Sequence, residues 1–117
     1  MAFKFEQLRV FQRSLDLSES VNVLVKKFPK EELFILAPQI KRAADSISLN
    51  IAEGSTGQSN LEFKKFLNYS IRSGIEVIGC LHLAKRRSLI HEDDFKSVYN
   101  ETENLIRQIQ ALRNSLK

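Results

Sequence analysis

The fold of this chain is decided by residues 39–54, QIKRAADSISLNIAEG. Wound into a helix at about 100° per residue, this stretch carries two stripes side by side. The first stripe is apolar and consists of Ile40, Ala44, Ile47 and Ile51. The second stripe is polar, lies next to the apolar one and consists of Gln39, Arg42, Ser46, Asn50 and Glu53. We therefore expect a core helix that also holds polar side chains at a packed boundary, where each needs a hydrogen-bond partner.

Helix start and stop signals divide the rest of the chain. Pro29 ends the first helix, Gly54 has the character of a C-terminal cap, and Ser59 opens a capping box with Glu62. The predicted helices are residues 5–28, 37–54 and 59–87, with a fourth beginning at residues 91–94. No alternating apolar pattern predicts a strand. The sequence therefore predicts an all-α, antiparallel up-down four-helix bundle, with residues 1–117 forming a single domain.

Residues 39–54 also carry a family resemblance. The matching residues are Gln39, 42–44, 46–47 and 50–54, with 28–32 upstream and Ser59, Glu62, Phe63, Phe66, Leu67, Ser73 and Glu76 downstream. In these residues the chain resembles the four-helix bundle proteins first noticed in intervening sequences of bacterial 23S rRNA genes. The resemblance implies an antiparallel bundle that often forms a cyclic pentamer. Relatives include the accessory variability proteins of diversity-generating retroelements, which bind nucleic acid and a reverse transcriptase, although most of the family has no known biochemical role.

Apolar residues occupy two opposite sides of the predicted first helix. One side carries Leu8, Phe11, Leu15 and Val25, and the other carries Val10, Leu17, Val21, Leu24 and Phe28. A helix in a monomeric bundle needs one apolar stripe, so the second needs another cover. We expect the side that begins at Val10 to contact a neighbouring subunit in a homo-oligomer, a pentamer by the resemblance. The alternative is a central helix wrapped by its own chain.

Positive charge is concentrated in one part of the chain. Residues 60–91 carry the whole excess of the net charge of +4. Their cations are Lys64, Lys65, Arg72, Lys85, Arg86 and Arg87. A basic stripe repeated around an oligomer would contact several phosphates of an RNA or nucleoprotein. We expect no aromatic platform within this basic stripe, so base stacking is not indicated. The alternative is that these cations form an ordinary solvent-exposed face that binds no ligand.

Signals for catalysis or a cofactor are weak. Glu53 and Asn50 are residue types that serve as a general base and as a hydrogen-bond donor to an oxyanion, but no nucleophile accompanies them. We instead expect Gln39, Arg42, Ser46, Asn50, Glu53 and Glu76 to form a structural polar network. The two histidines, His82 and His91, lack ligand spacing for a metal, and no cofactor is expected.

One short motif still resembles an enzyme. Arg86 and His91 have the loose spacing of HEPN-type ribonucleases, although His91 is expected to start the next helix. The sequence therefore predicts a non-enzymatic oligomeric scaffold or adaptor that binds RNA or a ribonucleoprotein. The alternatives are a protein-binding assembly module without a nucleic-acid role, and a HEPN-like ribonuclease.

The remaining composition suggests where such a protein works. Cys80 is the only cysteine, so no intrachain disulfide forms, and we expect it to be a small core residue. The first residues, MAFKFE, do not have the pattern of a signal peptide, and no apolar run is long enough for a membrane span. We expect a cytoplasmic protein.

Overall fold

Four helices pack around one apolar core in a computed structural model that describes residues 3–57 and 59–117. The helices are α1 (Arg9–Val25), α2 (Leu36–Ser55), α3 (Asn60–Arg86) and α4 (Glu92–Ser115). Short 3-10 turns at Lys4–Gln7 and Lys30–Glu32 precede α1 and α2. The described ranges contain no strand. The predicted all-α four-helix bundle is confirmed; Gln58, in the predicted loop after α2, lies outside the described residues.

The helices form a four-sided bundle. α2 packs against α1 and α3, and α4 packs against α3 and α1, so that α1 and α3 stand at diagonally opposite corners. Only a few residues connect α2 to α3 and α3 to α4, as expected of antiparallel neighbours. The outer sides of α1 and α3 therefore face in opposite directions, so a binding surface on α1 and one on α3 lie on opposite sides of the bundle.

The N-terminal turn corrects the prediction made for the first helix. The chain does not run as one helix from Phe5, because Leu8 is extended and separates the turn from α1. The turn packs on α1 and α2, and the Phe5 ring meets the Phe11 ring edge-on at 4.8 Å between centroids. The chain's own N-terminal segment thus covers the stripe containing Leu8 and Phe11.

The apolar stripe assigned to a subunit interface is the monomer core. All of its members are buried within the single chain: Val10, Leu17, Val21, Leu24 and Phe28. Because both stripes of α1 contact the same chain, the expectation of an oligomer interface at these five residues is wrong. The alternative of a central helix wrapped by its own chain describes α1 correctly, apart from the partly exposed Leu15.

Gly54 has a different role from the predicted cap. It lies inside α2, which ends at Ser55, and no described glycine has a positive φ. A Cβ atom at Gly54 would overlap the Cβ of Phe66 and lie 3.2 Å from Cδ1 of Phe63. Gly54 therefore permits the close approach of α2 and α3. Pro38, in the first turn of α2, is tolerated because the first N–H groups of a helix have no intrahelical partner.

Two small residues set the other close contacts of α3. Gly74 is buried, and a Cβ there would lie 2.8 Å from Cγ1 of Ile106 on α4. The buried Ser70 hydroxyl donates a 2.9 Å hydrogen bond to the backbone carbonyl of Ile47 on α2. Small side chains on this face of α3 therefore let both neighbouring helices approach.

The end of α3 is closed by a Schellman motif. Ser88 has φ of 60° and is the only non-glycine residue with positive φ in residues 3–57 and 59–117. Its N–H donates to the Lys85 carbonyl at 3.0 Å, and the Leu89 N–H donates to the Ala84 carbonyl at 2.9 Å. A residue with a Cβ is strained in this left-handed conformation, whereas glycine is not.

Replacing Ser88 with glycine is therefore expected to stabilise the protein. Relief of the left-handed strain outweighs the extra freedom of glycine in the unfolded chain, which leaves a gain of about 0.5–1 kcal/mol. Urea denaturation measures the change, with Ser88→Ala as the control that loses the hydroxyl but keeps a Cβ. A glycine variant no more stable than the alanine variant would contradict this account of the cap.

Candidate functional site

The polar stripe of α2 forms a smaller network than the sequence predicts. Ser46 accepts hydrogen bonds from the Asn50 amide and from the Ser73 hydroxyl of α3, each at 3.0 Å. The Asn50 amide also donates to the Ser46 carbonyl at 2.8 Å. The structure thus joins Ser46, Asn50 and Ser73 at the boundary between α2 and α3.

The other four residues of the predicted network are not joined to it. They are all exposed, and their side chains make no hydrogen bond or ion pair with the described residues: Gln39, Arg42, Glu53 and Glu76. The turn after α2 is held instead by the Ser55 and Thr56 hydroxyls, which donate to carbonyls one turn earlier. Only Ser46, Asn50 and Ser73 therefore make a structural contact between helices, and the rest of the stripe is exposed to solvent.

Cys80 is a core residue, as expected. Its side chain is buried, and burial raises the pKa of its thiol, with a further upward contribution from the negative charge of Glu76. A buried thiol with a raised pKa is protonated at neutral pH and is a poor nucleophile. In the described part of the chain, no three His, Cys, Asp or Glu side chains are grouped as metal ligands.

The basic cluster at the end of α3 is partly neutralised within the chain. Lys85 forms an ion pair with Glu92 at 3.1 Å and lies 4.5 Å from the centroid of the Phe95 ring. Arg87 forms an ion pair with Glu32 at 3.2 Å. These two cations fix the α3–α4 connection and the turn before α2, so they are poorly placed for an external ligand.

The other predicted basic residues extend into solvent from α3. Lys65, Arg72 and Arg86 are exposed, Lys64 is half-buried, and none of the four has a carboxylate within 4.0 Å among residues 3–57 and 59–117. Lys65 and Arg72 are seven residues apart, and Arg86 follows fourteen residues later, which places them near one line along the helix. This line is an exposed basic surface on α3 whose cations have no carboxylate partner in the described ranges.

An aromatic residue lies within this surface, contrary to the sequence-based expectation. Tyr69 is 37 % exposed and lines a depression of about 350 Å³ together with Lys65, Asn68 and Arg72. Its ring packs edge-on against Phe66 with 5.5 Å between centroids, which fixes its position. We call Lys65, Asn68, Tyr69 and Arg72 the basic patch. The signal was present in the sequence, since Tyr69 stands one helical turn from both Lys65 and Arg72.

The residues of the ribonuclease-like motif lie on different elements. Arg86 is the last residue of α3, whereas His91 is the N-cap of α4, as predicted for His91. Both side chains are exposed. Arg86 also borders a groove with Gly79, His82 and Leu83.

Each helix in the two described ranges is too short or too polar to traverse a membrane.

Together these features define a class of protein. It is a four-helix bundle whose surface includes an exposed row of cations on α3 and a polar face on α2.

The chain belongs to the 23S rRNA-intervening sequence protein family, whose model matches residues 6–111. It is also similar to the 1.70 Å crystal structure of a protein of unknown function from the S23 ribosomal protein family of Bacteroides thetaiotaomicron. That similarity has a TM-score of 0.84 with 24 % sequence identity, and it covers 91 % of this chain and 99 % of the other. No functionally curated protein matches the sequence.

Proposed function

We propose that this protein is a non-enzymatic, oligomeric adaptor that binds single-stranded RNA through the basic patch on α3. The observation that carries the proposal is the combination of two uncompensated cations, Lys65 and Arg72, with the half-exposed ring of Tyr69 in one depression. Proteins that bind single strands without sequence preference combine backbone-tracking cations with aromatic rings on which bases stack. A solvated basic face needs no aromatic residue at its centre.

Charge and ring would contribute separately to binding. Each cation that neutralises a phosphate releases counterions, so its contribution appears in the salt dependence of the affinity. Stacking on Tyr69 depends little on salt. Asn68, at the edge of the same depression, accepts a 2.8 Å hydrogen bond from Arg113 through its Oδ1, so only its amide N–H groups are left to donate to a phosphate, a sugar or a base edge.

The two contributions are separable in one binding experiment. Binding of a mixed-sequence single-stranded RNA oligonucleotide is measured by fluorescence anisotropy across a range of salt concentrations. Arg72→Gln is expected to reduce the slope of log K against log salt by about 0.7, the value for one phosphate of a single strand. Tyr69→Ala is expected to weaken binding by about 1–3 kcal/mol with the slope unchanged, while Tyr69→Phe retains binding.

Arg9→Gln is the matched control. Arg9 is exposed at the start of α1, diagonally opposite α3, so this variant changes the net charge equally without touching the basic patch. Equal weakening by Arg9→Gln and Arg72→Gln would contradict a localised site. A folded protein that does not bind RNA at low salt would favour the protein-binding assembly module, and RNA cleavage that depends on His91 would favour the ribonuclease.

A further inference from the structure

A groove follows the junction of α1 and α4 for about 21 Å, the helical rise from Arg13 to Lys27. It consists of two depressions that share Asp16. The first, of about 350 Å³, we call the Gln108 depression; its polar lining residues are Arg13, Asp16, Glu101, Asn104 and Gln108. The second, of about 410 Å³, we call the Val23 depression; its apolar lining residues are Val23, Leu24 and Val98.

Gln108 carries an acceptor that packing within the chain does not explain. Its side chain is half-buried, and its Oε1 is shielded from water without receiving a hydrogen bond from residues 3–57 or 59–117. A buried acceptor without a donor destabilises the folded chain. The Oγ of Ser18 is also buried and unpartnered, but Ser18 lines neither depression. An N–H group of a bound molecule would supply the missing donor to Gln108 after a rotation of its side chain.

The middle of the groove is acidic. Asp16 and Glu19 are exposed on α1, and Glu101 is half-buried on α4. None of these three carboxylates has a cation within 4.0 Å among the described residues. Unpaired carboxylates beside an unsatisfied acceptor favour a ligand that brings both positive charge and several N–H groups.

The two ends of the groove carry the opposite charge. Lys27 closes one end through a 2.8 Å ion pair with Asp94, which bridges α1 and α4. Arg13 stands towards the other end and has no carboxylate within 4.0 Å in the described ranges. The exposed charges that flank the lining residues along the two helices are Arg9, Lys26 and Asp93. A complementary ligand therefore places its cation near the centre of the groove and not at either end.

We propose that this groove binds a helical segment of a partner protein that carries an arginine and an apolar residue two turns apart. The guanidinium occupies the Gln108 depression, where its five N–H donors face the carboxylates of Asp16 and Glu101. The same donors satisfy the Oε1 of Gln108. The apolar side chain occupies the Val23 depression, where Val23 is 50 % exposed. Asp16 and Val23 are about 10 Å apart along α1, which matches two turns of a bound helix.

The groove and the basic patch lie on different sides of the bundle. α1 stands diagonally opposite α3, so the two surfaces can be occupied at the same time. The unpaired carboxylates repel RNA, whereas they attract an arginine-bearing protein segment. Binding in the groove therefore goes beyond the proposed function and does not depend on it. A chain with both surfaces would join RNA to a protein.

Synthetic peptides test the two anchors separately. The probes are fluorescently labelled helical peptides of about 15 residues, built from Ala and Gln, with one Arg and one Leu two turns apart in either order. Fluorescence anisotropy at low salt measures their affinity for the full chain. At least one order is expected to bind, and to lose about tenfold in affinity when its Arg is replaced by Gln or its Leu by Ala. The absence of binding by both peptides, or equal binding after replacement of Arg by Glu, would overturn the proposal.

Variants of the chain locate the peptide. Asp16→Asn and Gln108→Leu are each expected to weaken binding about tenfold, whereas Arg13→Gln is expected to strengthen it, because a competing cation is removed. Gln108→Leu also removes the unsatisfied acceptor and should raise the melting temperature, so lost binding cannot be ascribed to unfolding. Glu76→Gln is the matched control, since Glu76 is an exposed, unpaired carboxylate on α3. Weaker binding by Arg13→Gln, or equal weakening by Glu76→Gln and Asp16→Asn, would contradict a site in the groove.

Sedimentation and RNA competition examine the other possible occupants. Wild-type protein that self-associates while Asp16→Asn is monomeric would show that the groove holds another copy of the chain, which overturns the proposal. Displacement of the peptide by a single-stranded RNA oligonucleotide would also overturn it. Peptide binding that persists in Tyr69→Ala and Arg72→Gln supports a separate site, and peptide binding by a protein that binds no RNA would count against the proposed function alone.

Discussion

Val21→Glu is expected to unfold the chain. Val21 is fully buried in the core, where an ionised carboxylate has no partner and little water. An unpaired charge in such a site costs many kcal/mol unless the group becomes neutral, and even the neutral form costs several. A domain of this size has only about 5–15 kcal/mol of stability. Far-UV circular dichroism and urea denaturation are expected to show the loss of helix and of a cooperative transition.

Val23→Glu is the matched control for that substitution. Val23 lies two residues further along α1 and is 50 % exposed, so the same carboxylate remains in water. The free energy of unfolding is expected to change by no more than about 0.5 kcal/mol. If Val21→Glu kept native helical content and stability, the buried side of α1 would not be core, and the subunit interface predicted from the sequence would regain support.

Gly54→Ala is expected to destabilise the protein by about 2 kcal/mol. The new Cβ would overlap the Cβ of Phe66 and lie 3.1 Å from its Cγ. Rotation of the Phe66 side chain cannot move its Cβ, so α2 and α3 must separate. Overpacking of this kind costs about 1–3 kcal/mol or more, which exceeds the gain of up to about 1 kcal/mol from alanine's helix propensity. The urea midpoint measures the difference.

Gly79→Ala provides the comparison, since it makes the same chemical change on an open helix surface. It is expected to raise stability by up to about 1 kcal/mol, because its Cβ meets no other atom of the chain. The comparison is made at low protein concentration, where subunit association contributes least to the measured stability. Similar effects at both glycines would mean that α2 and α3 are not in close contact at Gly54.

Local signals in the sequence predicted the helices well. Ser59 does cap α3, since its hydroxyl accepts a hydrogen bond from the Glu62 N–H at 3.1 Å. The acidic residues 92–94 do open α4. Such features involve groups within one turn of one another, so the sequence is enough to identify them.

Features that depend on another element were not predicted. The sequence indicates a neighbouring subunit as the cover of the second stripe of α1, because nothing in it shows that the turn with Phe5 folds back onto Phe11. The sequence alone indicates a cap at Gly54, since the contact of Gly54 with Phe66 exists only after α2 and α3 pair. In both cases the sequence shows the local pattern, an apolar stripe or a glycine, but it does not show which element packs against it.

The candidate site shows the same division. The sequence identified the basic residues of α3, but it could not show that Lys85 and Arg87 would be paired with Glu92 and Glu32. Those pairs join separate elements and depend on the fold. Tyr69 could have been found earlier, because helical spacing from Lys65 and Arg72 places it on the exposed side of α3.

The order of packing in the bundle has a consequence for folding kinetics. α2 and α3 are joined by a short connection, and their contacts at Gly54 and at Ser70 lie between segments close in sequence. The contact between α1 and α4 instead joins the two ends of the chain. Contacts between nearby segments require little loop-closure entropy and form rapidly. We therefore expect the α2–α3 hairpin to form the folding nucleus and the docking of α1 on α4 to complete the bundle.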